Sequence, residues 1–183
     1  MDVIQFSQKT KQEAKNLLRQ GNVLEVLSQH GEVVLSGAYK YDLMWGPDID
    51  VVVICDNPEE ASQHALQDFI KQRNFQKYQL GDFAAFPLTN RPQSMIVVLI
   101  HEFAGRRWEI EIWFQKSLPE STLRFDKLLS NISQEQRKTI LELKHHRELV
   151  GTSKLSLSST AIYEGVLIEN KSEIGDFSAK IEE

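Results

Sequence analysis

The 183-residue sequence predicts an α+β protein: a small mixed β-sheet flanked by helices, with more helices toward the C-terminal end. Three observations carry that prediction. Val51-Val52-Val53-Ile54 is continuously apolar after two acids, the pattern of a strand buried on both faces. Residues 94–103 and 107–114 are β-like runs joined by Ala104-Gly105-Arg106, which predicts a hairpin. After Pro119 the apolar spacing turns helical. A chain of this length, with 41% hydrophobic and 26% charged residues, suits one domain that buries its core without disulfides or a structural metal. The expected organisation is an α/β core over 1–118, a helical part over 119–169 and a polar tail over 170–183.

The elements follow in order. Residues 5–20 have the spacing of an amphipathic helix, with Phe6, Ala14, Leu17 and Leu18 apolar and Gly21 as its stop. Asn22 is placed to cap a second helix through Leu27. Residues 32–37 predict a strand centred on Val33-Val34-Leu35, and 38–47 a turn-rich stretch ending in Gly46-Pro47. The strand 48–55 is followed by Asp56-Asn57-Pro58-Glu59-Glu60, a helix start with proline and acids in the first turn. That helix is expected to reach Arg73, and a strand is expected over 75–80. Gly81, Pro87, Asn90 and Pro92 mark 81–93 as a loop. After the hairpin, helices are expected over 119–130, 133–149 and 158–169. Ser133 with Gln136 forms a capping-box pattern. The residues from Asn170 on are polar and acidic and are expected to be loose.

Several function classes are disfavoured. The single cysteine, Cys55, makes no internal disulfide, and it follows an apolar run as a buried, inert thiol would. There is no secretory pattern at the start and no apolar run long enough for a bilayer, so a cytoplasmic protein is expected. A net charge of −5 and a pI near 5.6 argue against a broad basic surface for nucleic acid.

Asp48 and Asp50 carry the chemistry. Two apart on a strand, they point to one face. Their Cα atoms are about 6.6 Å apart, and at an effective dielectric near 20 two unit charges at that separation repel by roughly 2.5 kcal/mol. A divalent cation compensates, and hard carboxylate oxygens suit Mg²⁺ or Mn²⁺. Glu109 and Glu111, in Trp108-Glu109-Ile110-Glu111-Ile112, form a second such pair. If their strand lies beside 48–54, three or four carboxylates gather at one site, as two-metal phosphoryl or nucleotidyl transfer requires. Upstream, Leu35-Ser36-Gly37-Ala38 ends a strand in glycine, where backbone N–H groups and the Ser36 hydroxyl can approach phosphate.

These parts together resemble the nucleotidyltransferase superfamily that includes polymerase β and the antibiotic nucleotidyltransferases. The family pattern is an apolar strand ending in Gly-Gly or Gly-Ser, about ten residues, then [Asp/Glu]-h-[Asp/Glu]-h and a later h-[Asp/Glu]-h. Here Leu35-Ser36-Gly37-Ala38, Asp48-Ile49-Asp50-Val51 and Trp108-Glu109-Ile110-Glu111-Ile112 correspond. The resemblance covers about residues 22–114 and implies the nucleotidyltransferase fold, Mg²⁺ or Mn²⁺ dependence and NMP transfer from an NTP. On it, Asp48, Asp50 and Glu109 or Glu111 become catalytic metal ligands. The Arg106-Arg107-Trp108 lead-in inclines toward Glu109. Ser36, Gly37 and Ala38 would receive the triphosphate, with Lys40 as a nearby cation. Two departures stand out: Ala38 where Ser or Gly is usual, and Tyr41-Asp42 in place of the Arg-Gly pair of small members.

The expected activity is transfer of AMP from ATP onto a hydroxyl, with a small-molecule acceptor favoured over nucleic acid on charge. The alternative is a catalytically degraded protein of the same fold acting as a nucleotide-binding or antitoxin-like partner. Trp45 is expected either to stack on a base or to plug the core.

Overall fold

The computed structural model describes residues 2–86, 94–149 and 157–180. The chain runs α1 (Val3–Gln20), α2 (Val23–Leu27), β1 (Glu32–Leu35), α3 (Gly37–Lys40), β2 (Asp48–Ile54), α4 (Pro58–Gln72) and β3 (Lys77–Asp82). It continues through β4 (Met95–Phe103), β5 (Arg106–Gln115), α5 (Glu120–Leu129), α6 (Gln134–Leu149), α7 (Ser159–Leu167) and a 3₁₀ helix (Ile174–Lys180). Pro87, Asn90 and Pro92 of the expected loop lie outside the described residues.

Local chemistry accounts for most boundaries. The Asp2 carboxylate accepts the Ile4 N–H at 2.9 Å and starts α1. Asn57 accepts from Glu60 N–H, and Pro58 occupies the first turn of α4. Ser133 and Gln136 form the reciprocal capping box, at 2.9 and 3.1 Å. The hairpin turns on Ala104 and Gly105, at φ 52° and 74°, the left-handed pair of a type I′ turn. Asn22 departs from expectation. It makes no side-chain cap for α2 and instead turns the chain in a left-handed conformation, φ 49°.

The sheet order is β1-β2-β5-β4-β3, with β2 and β5 parallel and every other pair antiparallel. Parallel pairing needs a long crossover, and α4 with the β3–β4 strands supplies it. One sheet face carries Ile49, Val51 and Val53 of β2 with Ile110, Ile112 and Phe114 of β5, and these pack against α1, α2 and α4 in the main core. Phe69, Trp108 and Phe114 are fully enclosed there; burying such a side chain stabilises by about 1.5–3 kcal/mol. On the other face, β2 and β5 carry their acids at one end and Val52 and Trp113 at the other. Phe83 stacks on Trp113 with ring centroids 5.8 Å apart.

A second core joins Val3 of α1 and the segment Tyr41, Leu43 and Trp45 to Ile140, Leu143, Ile162 and Phe177. The C-terminal helices thus share a core with the segment leading into β2. Two expectations change here. α3, too short to show a period, begins at Gly37 and runs into the turn-rich 38–47. The tail expected to be loose contributes Phe177, 1% exposed, which packs against Gly165. Among the described residues no helix is long and apolar enough to cross a membrane.

Candidate active-site cleft

The parallel register sets Asp48 opposite Glu109 and Asp50 opposite Glu111, so all four acids occupy one sheet face. They do not share one environment. Asp48 and Asp50 line a cleft of about 160 Å³, whereas neither glutamate does. Glu109 is half-exposed and pairs with Arg107 at 3.3 Å. Arg106 is likewise engaged elsewhere, donating to Thr10, Glu13 and the Trp45 carbonyl.

Gly37 sits hard against Asp50. The Ser36 N–H donates to the Asp50 carbonyl at 3.1 Å, tying the end of β1 to β2. Gly37 then turns at φ 60° into α3. A Cβ at Gly37 would lie 2.8 Å from Asp50 Cγ and closer still to Oδ2, so only glycine lets this backbone meet the carboxylate. Gly37 and Ala38 line the cleft. The Ser36 side chain makes no capping bond to α3. Lys40 is ion-paired with Asp126 of α5 at 2.7 Å and is not among the cleft residues.

The opposite wall comes from the C-terminal helices. Lys144 and Arg147 of α6, 2% and 3% exposed, line the cleft with Ser159, Thr160 and Tyr163 of α7. Lys144 Nζ donates to the Leu43 carbonyl and the Tyr163 hydroxyl, both at 2.8 Å. Arg147 donates to the Leu157 carbonyl at 2.9 Å. Burial lowers the Arg147 pKa, opposed by the negative fields of Glu148, Tyr163 and Asp48. Burial, then Asp50 and Asp48, push the Tyr163 phenol above its ordinary value. Trp45 is both plug and wall. It is 3% exposed, lies against Phe6 and His145 at 4.5 and 5.0 Å, donates to Glu148, and lines the cleft.

Sequence reasoning missed Lys144, Arg147, Ser159, Thr160 and Tyr163. A signal existed: Ile140, Leu143, Lys144 and Arg147 fall at i, i+3, i+4, i+7, so two cations share the apolar stripe of α6. As to metal, the hard oxygens of Asp48 and Asp50 suit Mg²⁺ or Mn²⁺. Among the described residues no three His, Cys, Asp or Glu side chains converge as a preformed metal cage.

No protein-family model matches this sequence, and no curated protein does. Solved structures do. A cytoplasmic RNA terminal U-transferase superimposes with a TM-score of 0.56 at 17% identity, covering 90% of this chain and 52% of that one. The polymerase core of TRAMP, an RNA surveillance complex, gives 0.52 at 16%, covering 86% and 54%. The Cid1 poly(U) polymerase, with Mg and 3′-dATP bound, gives 0.51 at 18%, covering 90% and 54%. The chain thus spans about half the length of these structures. At this level of identity the likeness establishes the architecture: the chain has the nucleotidyltransferase fold.

Proposed function

We propose that this protein is a metal-dependent nucleotidyltransferase moving an NMP from an NTP onto an acceptor hydroxyl. One observation carries the reading: Asp48 and Asp50 share one small cleft, bordered by Gly37, with two buried cations, Lys144 and Arg147. Acids and cations in one cleft suit a triphosphate bridged to the protein through a divalent ion.

Asp48 and Asp50 would hold the ion, which supplies charge neutralisation at the phosphates and a lower pKa for the attacking hydroxyl. Glu111 is the better third carboxylate, because it lies opposite Asp50 while Glu109 is committed to Arg107. Adjacent strands are about 4.8 Å apart, so a change of the Glu111 rotamer reaches the Asp50 oxygens. Lys144 and Arg147 would bind triphosphate oxygens, strongly because they are screened from water. That role replaces the one expected of Lys40. Gly37 and Ala38 would lie along the phosphates through their backbone, with the Ser159 and Thr160 hydroxyls opposite. Ser36 contributes by anchoring Gly37 to β2. Glu111 would accept the proton of the attacking hydroxyl.

ATP and a small-molecule acceptor were the expectations from sequence. The structural relatives include enzymes described as RNA U-transferases, so UTP and an RNA 3′ hydroxyl join the candidates. The test is pyrophosphate release with Mg²⁺, each NTP in turn and a short RNA. Release that needs Mg²⁺ and is lost in Asp50→Asn is expected. Absence of any Mn²⁺-dependent NTP binding would contradict the proposal.

A second reading, a nucleotide-binding protein without turnover, is favoured by the lack of a third converged carboxylate among the described residues. It predicts metal-dependent NTP binding with no pyrophosphate released under any acceptor.

A further inference from the structure

A separate cavity of about 510 Å³ lies between α1, α2 and α3 and shares no lining residue with the cleft. That volume falls within the range of small-ligand sites. Leu18, Leu24 and Tyr39 give it apolar walls. Lys15 and Arg19, four apart on α1, project on one helix face and both line it. Both are exposed, and neither is ion-paired among the described residues. Lys11 adds a third cation nearby, 5.3 Å from the centroid of the Tyr39 ring, although it is paired with Asp42. Glu25 is the one acid in the lining.

Three amides and the Tyr39 hydroxyl complete the polar lining: Gln12 Nε2 donates to Asn16 Oδ1 at 3.1 Å, and Asn22 stands beside them. A side-chain amide presents both a donor and an acceptor, the pairing a nucleobase edge offers in return. Asn22 is brought here by the left-handed turn with which it ends α1 and leads into α2, a conformation asparagine adopts readily at a helix end. A fatty acid would use the apolar walls and cations but leave the Asn22 amide unmatched. A sugar phosphate would use the cations and amides but leave the apolar walls unmatched.

We infer that this cavity is a second, metal-independent binding site for a nucleoside phosphate, base against Leu18, Leu24 and Tyr39 and phosphate at Lys15 and Arg19. The nucleoside phosphate is either a free nucleotide or an internal nucleotide of a single strand. Nothing in this inference depends on the cleft being catalytic.

The test is equilibrium binding in EDTA, which removes any divalent ion from the cleft, so that the variants below report on the cavity alone. The probes are AMP, UMP and short single-stranded oligoadenylate and oligouridylate. Saturable binding is expected, weakened about tenfold or more in the Lys15→Gln/Arg19→Gln double variant. Both positions are exposed, so circular dichroism should be unchanged. Asn22→Gly, which keeps the left-handed turn and removes the amide, should weaken binding as well. Mononucleotides binding as tightly as oligomers would identify a free-nucleotide site, and much tighter oligomers a strand site; either supports the inference. No saturable binding of any probe, or binding unchanged in the double variant, would overturn it. Pyrophosphate assays on the cleft are unaffected by either outcome.

Discussion

Gly37→Ala is the most informative single perturbation. The native φ of 60° is left-handed, and an alanine there costs about 1–2 kcal/mol in backbone strain alone. The added Cβ would also sit 2.8 Å from Asp50 Cγ. Carbon atoms pack at about 3.5–4.0 Å, so the carboxylate must retreat by roughly 1 Å. For a domain of this size each kcal/mol lowers Tm by about 2–4 °C, which predicts a fall of about 2–8 °C. A misplacement of that size at reacting groups costs up to about a hundredfold in rate. Differential scanning calorimetry and a pyrophosphate-release assay on the same preparation read the two effects separately. A Gly37→Ala protein with unchanged Tm and turnover would refute the claim that this glycine exists to let the backbone meet Asp50.

Other consequences follow from the opposite wall of the cleft. Lys144→Ala removes the donor to the Leu43 carbonyl and the Tyr163 hydroxyl, costing about 1–3 kcal/mol for each group left unmet. It should also raise KM for the NTP at least tenfold, as steady-state kinetics would show. Lys40→Ala should leave that KM unchanged and alter stability by no more than about 1 kcal/mol, because its partner Asp126 is partly exposed. A tenfold rise in KM would return Lys40 to the phosphate site. Tyr163 has its folded pKa raised above the ordinary 10.0, so its contribution is complete below pH 10 and is lost as pH rises past that value. Denaturant melts across the alkaline range should show stability falling there, with a flatter fall in Tyr163→Phe.

The half of the site on β2 is legible in the sequence because strand alternation has an exact period of two. Once 48–54 is a strand, Asp48 and Asp50 must share a face, and Gly37 just upstream marks a close backbone approach. The parallel pairing with β5 was an added hypothesis, and the register bears out the shared face. It does not bear out convergence of the four acids, because strand register fixes Cα positions and not side-chain rotamers. Lys144, Arg147 and Tyr163 were not legible as site residues. They reach Asp48 and Asp50 across a separation of roughly a hundred residues through packing of α6 and α7. Local periodicity reports only that α6 buries two cations, without naming what they face. Trp45 was legible as an alternative between base stacking and core. It fills the second core and borders the cleft, since the segment carrying it serves both.

The central claim is that Asp48 and Asp50 hold a divalent ion for a triphosphate gripped by Lys144 and Arg147. The most direct measurement is calorimetric titration of an NTP into the protein, with and without Mn²⁺, for the native chain and for Asp50→Asn. The account predicts an NTP-binding event that appears only with Mn²⁺, over the metal-independent binding at the α1–α2–α3 cavity, and that is weakened at least tenfold in Asp50→Asn at unchanged Tm. Equal NTP binding with and without Mn²⁺, or full Mn²⁺-dependent binding in Asp50→Asn, would contradict it.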